Sequence, residues 1–220
     1  LPETSESGHI DLKMVGKYFD IASNAEDADF AVAVIGEPKG GTGYSVEDRN
    51  AGGNGYIPIS LRYGEYTANV AREHSIAGGD PLESSSNRSY RGKTVTSTNA
   101  ADADVITKTK SELGNKPLVT VVYATKPFVP AEIEPGSDAL FVAFGVQYMA
   151  VFEIISGAYE PSAMLPMQLP ADMATVELQN EDGFGDMECY RDSEGNVYDF
   201  AFGLNWTGQV KDWRYRKYHR

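Results

Sequence analysis

Phe30-Ala31-Val32-Ala33-Val34-Ile35, preceded by Asp29 and closed by Gly36, is the stretch on which the fold class turns. Its six consecutive apolar residues show no polar alternation, and the run is too short for an ordinary helix. A continuous run of this length stopped by glycine is the pattern of a strand covered on both faces in a parallel sheet. Downstream, residues 117–124 and 138–144 repeat it and give a second and a third strand. Helices are expected between and after them. Asn99 is placed to cap one whose acidic first turn, with Asp102 and Asp104, suits the helix dipole and which stops near Gly114. Pro130-Ala131-Glu132-Ile133 reads as a short helix start, and residues 147–156 as a helix ended by Gly157. Strand alternating with helix is the order of an α/β fold with a mostly parallel sheet. Residues 197–202 offer a last short strand.

Between the first strand and Asn99 the chain changes character. Gly40-Gly41, Gly43, Gly52-Gly53, Gly55 and Gly78-Gly79 are scattered among polar and aromatic residues. So long a Gly/Tyr-rich insert exceeds what a connection in a compact domain needs, which points to function. Within it, residues 66–75 read as a helical turn or two. The chain divides into an N-terminal extension (1–27), an α/β domain (28–208) and a basic C-terminal extension (209–220).

Composition narrows the function classes. The 220 residues are 41% hydrophobic and 11% aromatic, enough for a real core, with 19 Lys plus Arg against 32 Asp plus Glu and a net charge of −13. That balance repels phosphate backbones, so nucleic acid is not expected. The last ten residues are the exception: Lys211, Arg214, Arg216, Lys217 and Arg220 interleave with Trp213, Tyr215 and Tyr218. They read as an extension packing on an acidic body or on a partner. No apolar run approaches the roughly 20 residues a spanning helix needs, so no membrane partner is expected. The opening Leu1-Pro2-Glu3-Thr4-Ser5 shows no export signal and no starting Met, the look of a processed or excised chain. Cys189, the single cysteine, has no partner for a disulfide or a zinc site and reads as an idle thiol.

Several motifs fall short of the chemistry they suggest. Gly40-Gly41-Thr42-Gly43-Tyr44-Ser45 follows a strand, but lacks the Gly-Lys of a Walker loop and the helix start of a dinucleotide fingerprint. Asp192-Ser193-Glu194-Gly195-Asn196 alternates oxygen ligands, yet Val197 stands where a calcium loop needs Gly, and the stretch reads as a solvated acidic loop. His9, His74 and His219 are too far apart for a local metal cluster, and no Gly-x-Ser-x-Gly elbow supports a Ser-His-Asp triad. Neither a metal nor another cofactor is expected. Carboxylates are the abundant chemistry: Glu37, Glu47, Asp48, Glu65, Glu73, Asp80 and Glu83 share the insert with Tyr44, Tyr56, Tyr63, Tyr66, Arg49, Arg62 and Arg72. Rings that stack on sugar faces, beside acids and arginines that bind hydroxyls, are what a sugar site uses.

Several ordered segments resemble the C-terminal domain of family-three glycoside hydrolases, the β-glucosidase and exo-glucosidase group. Pro161-Ser162-Ala163-Met164-Leu165-Pro166 and on to Pro170 is similar to the family's PSG-LP---P signature, with Ala163 at the usual Gly. Ile154-Ile155-Ser156-Gly157 resembles its helix end, and Tyr198-Asp199-Phe200-Ala201-Phe202-Gly203-Leu204 its y-FGyGLsY stretch. Residues 116–122 and 139–145 stand at its second and third strands. The resemblance spans residues 28–208 and implies a three-layer α/β/α sandwich packed on a TIM barrel outside this sequence. It implies a retaining β-glycosidase, secreted or periplasmic, in which a barrel aspartate attacks and a carboxylic acid of the sandwich protonates the leaving oxygen of a β-glucoside or related oligosaccharide. A non-catalytic carbohydrate-binding or dimerisation domain of the same ancestry is the alternative, with a homodimer as a further partner, and a flavodoxin-like small-ligand binder is the third.

The acid itself is open. Thr42 stands at the simplest alignment of the family's glutamate; a shifted gap restores Glu47 before Asp48-Arg49, and Glu73 lies between Arg72 and His74. Adjacent Asp48 is expected to raise the pKa of Glu47, and adjacent Arg72 to lower that of Glu73. For sugar contacts the candidates are Tyr44, Tyr56, Arg62, Tyr63, Phe144 and Gln147, the last two because open α/β sheets place ligands beyond strand ends. Packing of these tyrosines against the barrel or a second subunit is the competing expectation.

Overall fold

A computed structural model describes residues 11–70, 88–180 and 185–218. In chain order these form α1 (Leu12–Val15), β1 (Ala31–Gly36), α2 (Val46–Asn50), β2 (Tyr66–Thr67), β3 (Thr94–Val95), α3 (Ala101–Leu113), β4 (Leu118–Tyr123), β5 (Ala139–Ala143), α4 (Tyr148–Ile155), α5 (Met173–Leu178), β6 (Leu204–Asn205), β7 (Gly208–Gln209) and α6 (Trp213–Tyr218).

The three apolar runs pair as expected. β1, β4 and β5 lie side by side in that order, all parallel, with Ala31 opposite Leu118 and Val119 opposite Ala139. Because side chains alternate along a strand, each strand feeds two cores. On one face Ala33, Ile35, Leu118 and Val122 pack with Ile106 and Leu113 of α3. On the other, Val32, Val34, Val121 and Phe141 pack with Val151 and Ile155 of α4. Helices on both faces explain why the strands are continuously apolar. Each fully buried Leu, Ile or Val contributes about 1.5–3 kcal/mol, so the sheet is the main source of stability. α3 presents Asp102, Ile106 and Leu113 inward and ends at Gly114, whose φ of +62° suits glycine. α4 ends at Gly157 with φ +80°.

The two segments that carry the family resemblance most strongly lie against each other. Leu165 N–H donates to Phe202 O, Ala201 N–H to Leu165 O, and Leu169 N–H to Tyr198 O. A Cβ on Gly203 would fall 2.1 Å from the carbonyl oxygen of Ala163, so the contact demands glycine there. Ala201 stands at a Gly position of the resembled motif and has a φ of +65°, a conformation that costs a non-glycine residue about 1–2 kcal/mol.

Four local expectations are corrected. Residues 66–67 form a strand paired antiparallel with Thr94–Val95, not a helical turn; residues 71–75 lie outside the described residues. Asn99 does not cap α3, whose N-cap is Ala100 without a side-chain bond. Its amide instead straps the end of β1: Oδ1 accepts from Lys39 N–H, and Nδ2 donates to Glu37 O and Asp102 Oδ2. Residues 197–202 are not a strand; only a single bridge, Arg191 to Val197, forms, because the left-handed Ala201 breaks the extended run. Pro130–Glu132 is a 3₁₀ turn rather than the start of an α-helix, since Glu134–Gly136, with Pro135, turns the chain again.

The C-terminal extension is partly helical. α6 buries no residue and is tied down by Arg214, which pairs with Asp212 and donates to Ser162 O at 2.7 Å.

Candidate functional site

The carboxyl ends of β1, β4 and β5 open onto three loops, the position where open α/β sheets hold ligands. Glu37 follows β1 directly. Its carboxylate accepts from the backbone N–H groups of Thr125 and Lys126 and from Thr125 Oγ1, so it staples the end of β1 to the loop after β4. Beyond β5, Phe144 packs its ring against the core, and Gln147 stands exposed at the N-cap of α4 with no capping bond.

From Glu37 the insert rises as a narrow antiparallel loop. Gly40 bridges Ser60 and Tyr44 bridges Tyr56. Ser45 N–H donates to Gly55 O at 2.8 Å and Ile57 N–H to Gly43 O at 3.2 Å. Two glycines make the approach possible. A Cβ on Gly41, φ +69°, would lie 2.0 Å from Pro58 O, and one on Gly55, φ +86°, 2.4 Å from the Tyr44 ring. The rings of Tyr44 and Tyr56 therefore meet edge to face, centroids 6.1 Å apart at 88°, with the Arg88 guanidinium 5.9 Å from the Tyr56 centroid. Tyr44 remains 45% exposed, whereas Tyr56 is half-buried.

Glu47 and Asp48 lie on α2 at the tip of this loop, and neither carries the pKa expected of an acid catalyst. Glu47 is held below the ordinary carboxylate value, first by a backbone N–H and then by Ser45 Oγ, which donates to its Oε2 at 2.9 Å. The direction is opposite to the upward push expected from Asp48, because the backbone and Ser45 hydrogen bonds outweigh it. Lys93 Nζ and Gly55 N–H hold the Asp48 carboxylate, at 2.6 and 2.8 Å, and lower its pKa. Glu73, with Asp80 and Glu83, lies outside the described residues. Thr42 donates to Tyr44 O and shapes the turn.

At the root of the insert, Arg62 and Tyr63 are claimed by structure. Glu132 accepts from Arg62 Nε and Nη2 and from the N–H groups of Tyr63 and Gly64, at 2.6–3.2 Å. Tyr63 is fully buried, and its hydroxyl donates to Gly36 O at 2.7 Å. Burial first, then the nearby charges of Asp102, Glu132 and Glu37, push its pKa up, so the phenol stays neutral. Its ring offers no face to a sugar in this structure, which corrects the expectation of a contact. Thus Tyr44 and Tyr56 are brought together, while Phe144 and Gln147 share a separate strand end. Among the described residues no ring or hydrogen-bond contact joins these two pairs.

Sequence reasoning missed the roles of Glu132 and Lys93 and gave Asn99 a different one, a helix cap. Each acts on residues about 40 to 70 positions away, and no local pattern marks them. The calcium-like loop is internally satisfied: Asp192 accepts from the N–H groups of Glu194 and Asn196 and from Asn196 Nδ2. Cys189 is pushed up to about 11 by burial and then by Asp199, which suits an inert thiol.

No family model matches the chain, and no solved structure matches it. Two curated proteins do: probable beta-glucosidase C of Aspergillus flavus and its namesake of Aspergillus oryzae, each 29% identical over 91 residues. The match takes in 41% of this chain, and the chain spans 13% of the length of these relatives. This partial likeness supports a relationship to glycoside hydrolases.

Proposed function

We propose that this chain is the α/β part of a retaining β-glycosidase of the exo-acting β-glucosidase type. In this reading it supplies the general acid/base and one wall of the sugar cleft, and a TIM barrel elsewhere in the protein supplies the attacking aspartate. The likeness to the two Aspergillus proteins called probable beta-glucosidase C is the observation that carries it. A tyrosine pair on a glycine-framed loop, with Tyr44 exposed and Tyr56 half-buried, supports it further. Retaining hydrolysis needs one ionised carboxylate to attack and one neutral carboxyl group to protonate the departing oxygen. Glu47, held low by its backbone and Ser45 bonds, is charged at neutral pH and poorly suited to the second role. Glu73, which lies outside the described residues, is taken as the first candidate for the acid, with Glu47 as its competitor.

The test uses the full-length protein and an aryl β-glucoside. Glu73→Gln should lose about 10²–10⁴-fold in turnover of a poorly activated leaving group, and azide should restore activity on an activated aryl β-glucoside, whose departure needs no acid, whereas Glu47→Gln should stay close to the parent. Full activity in Glu73→Gln rejects the assignment. Failure of the full-length protein to cleave any aryl β-glycoside rejects the glycosidase reading.

One observation favours the second reading, a non-catalytic carbohydrate-binding or dimerisation domain. Among the described residues the carboxyl groups of Glu47, Asp48, Asp138 and Asp212 are held below their ordinary values by the hydrogen bonds they accept. Sugar binding or self-association without hydrolysis would support it.

A further inference from the structure

The tip of the insert, residues 46–53, contains no buried residue. α2 is five residues long and buries none of them, and Val46 is 58% exposed. A helix so short is not stable by itself in water. The Tyr44–Tyr56 pair nevertheless has one defined geometry, so something polar must fix the backbone between the rings.

Lys93 is placed to do this. Its Nζ donates to Asp48 Oδ2 and to Asn54 Oδ1, both at 2.6 Å. Each acceptor in turn holds a backbone N–H beside a ring: Asp48 Oδ2 holds that of Gly55 at 2.8 Å, and Asn54 Oδ1 that of Tyr56 at 3.1 Å. Gly53 N–H donates to Asp48 O at 2.8 Å, and a Cβ on Gly53 would lie 2.2 Å from the carboxylate, so the loop is closed tightly around it. The Lys93–Asp48 pair is only a quarter exposed, at 25% and 24%. Water therefore competes weakly for its hydrogen bonds. Lys93 is also anchored from behind, because its carbonyl accepts from Ala68 N–H and it leads directly into β3.

We propose that Lys93 is a positioning residue for sugar binding: by bridging Asp48 and Asn54 it fixes the 44–56 loop so that the exposed Tyr44 ring, braced edge to face by Tyr56, is held in one orientation for stacking on a pyranose ring. This rests on the glycosidase reading, in which that pair lines the cleft. Lys93 is given no role at the reacting bond, since its ammonium group is engaged by Asp48 and Asn54. Its loss should weaken ground state and transition state alike and so appear in KM rather than kcat.

The experiment compares Lys93→Met, Lys93→Arg and Tyr44→Ala in the full-length protein, by aryl β-glucoside kinetics and by amide hydrogen exchange at Gly55 and Tyr56. Lys93→Met should raise KM about tenfold, leave kcat within about threefold and speed exchange at both amides, with Lys93→Arg recovering part of each effect. If Tyr44→Ala raises KM while Lys93→Met alters neither KM nor exchange, the positioning role is refuted and the cleft reading stands. If exchange quickens in Lys93→Met but neither variant changes KM, the rings do not contact sugar, and the cleft reading and the positioning role fall together. Should Lys93→Met lose its far-ultraviolet dichroism, Asp48→Asn, which keeps the shape and removes the charge, is judged by the same criteria.

Discussion

Between β1, β4 and β5 the chain is joined by backbone ladders in register and covered by apolar side chains from α3 and α4. Among the described residues of 37–99, a two-residue ladder and isolated bridges are supplemented by side chains reaching across the chain: Glu37 to residues 125–126, Glu132 to 62–64, Asn99 to 37 and 39, and Lys93 to Asp48 beside the 53–55 turn. The first kind of joint is non-directional and built from many small contributions. The second is directional, and each staple is a single point of failure. A domain built this way keeps a stable frame under a loop region whose geometry a few polar residues set, as a binding surface requires.

The contrast can be broken first at the frame. Leu118 is fully buried between α3 and the sheet, so Leu118→Ala should cost about 2–5 kcal/mol, read from urea unfolding, and should lower the protection of sheet and insert together. A loss confined to the insert would overturn the division drawn here. Glu132→Ala should act locally and somewhat less. It strands the amides of Tyr63 and Gly64 and the Arg62 guanidinium, a cost of about 1.5–3 kcal/mol for hydrogen bonds to a charged group. Exchange at Tyr63 and Gly64 should accelerate well before that of β4, and equal acceleration in both would contradict a local staple.

Acid provides the mildest test. Asp48 has its pKa lowered first by the hydrogen bond from Lys93 and next by that from Gly55. A carboxyl group depressed in the folded state adds stability above its unfolded value, about 3.9, and loses it as pH falls through the folded value. The Gly55 amide resonance should therefore hold steady from pH 7 to about 5 and move below about pH 4. Far-ultraviolet dichroism should change only at lower pH. Unfolding of the sheet at the same pH would show that the loop has no separate acid response.

How much could be read in advance follows the same division. The strands announced themselves because covering both faces forces uninterrupted apolar runs such as residues 31–35, and Gly114 and Gly157 marked the helix ends. Tyr44 and Tyr56 were recognisable as a possible pair only by residue type; their edge-to-face contact depends on Gly55 leaving room for the Tyr44 ring. Tyr63 had the same composition signal as Tyr44 and went the opposite way, into the core, because Glu132 and Gly36 O hold it there. Glu47 was expected to rise in pKa from its neighbour in sequence, yet in space that neighbour faces Lys93.

Composition and apolar periodicity by themselves determined a parallel α/β sheet with helices on both faces and a glycine- and tyrosine-rich insert between its first two strands. These features are local, since burial of a strand or helix face is written into consecutive residues. Only the tertiary structure decided which acid is paired with a lysine, which tyrosine is exposed and which residues brace the loop. Such outcomes depend on hydrogen bonds between groups tens of residues apart, and the strength of those bonds lies in distance and direction, which no order of residues along the chain displays.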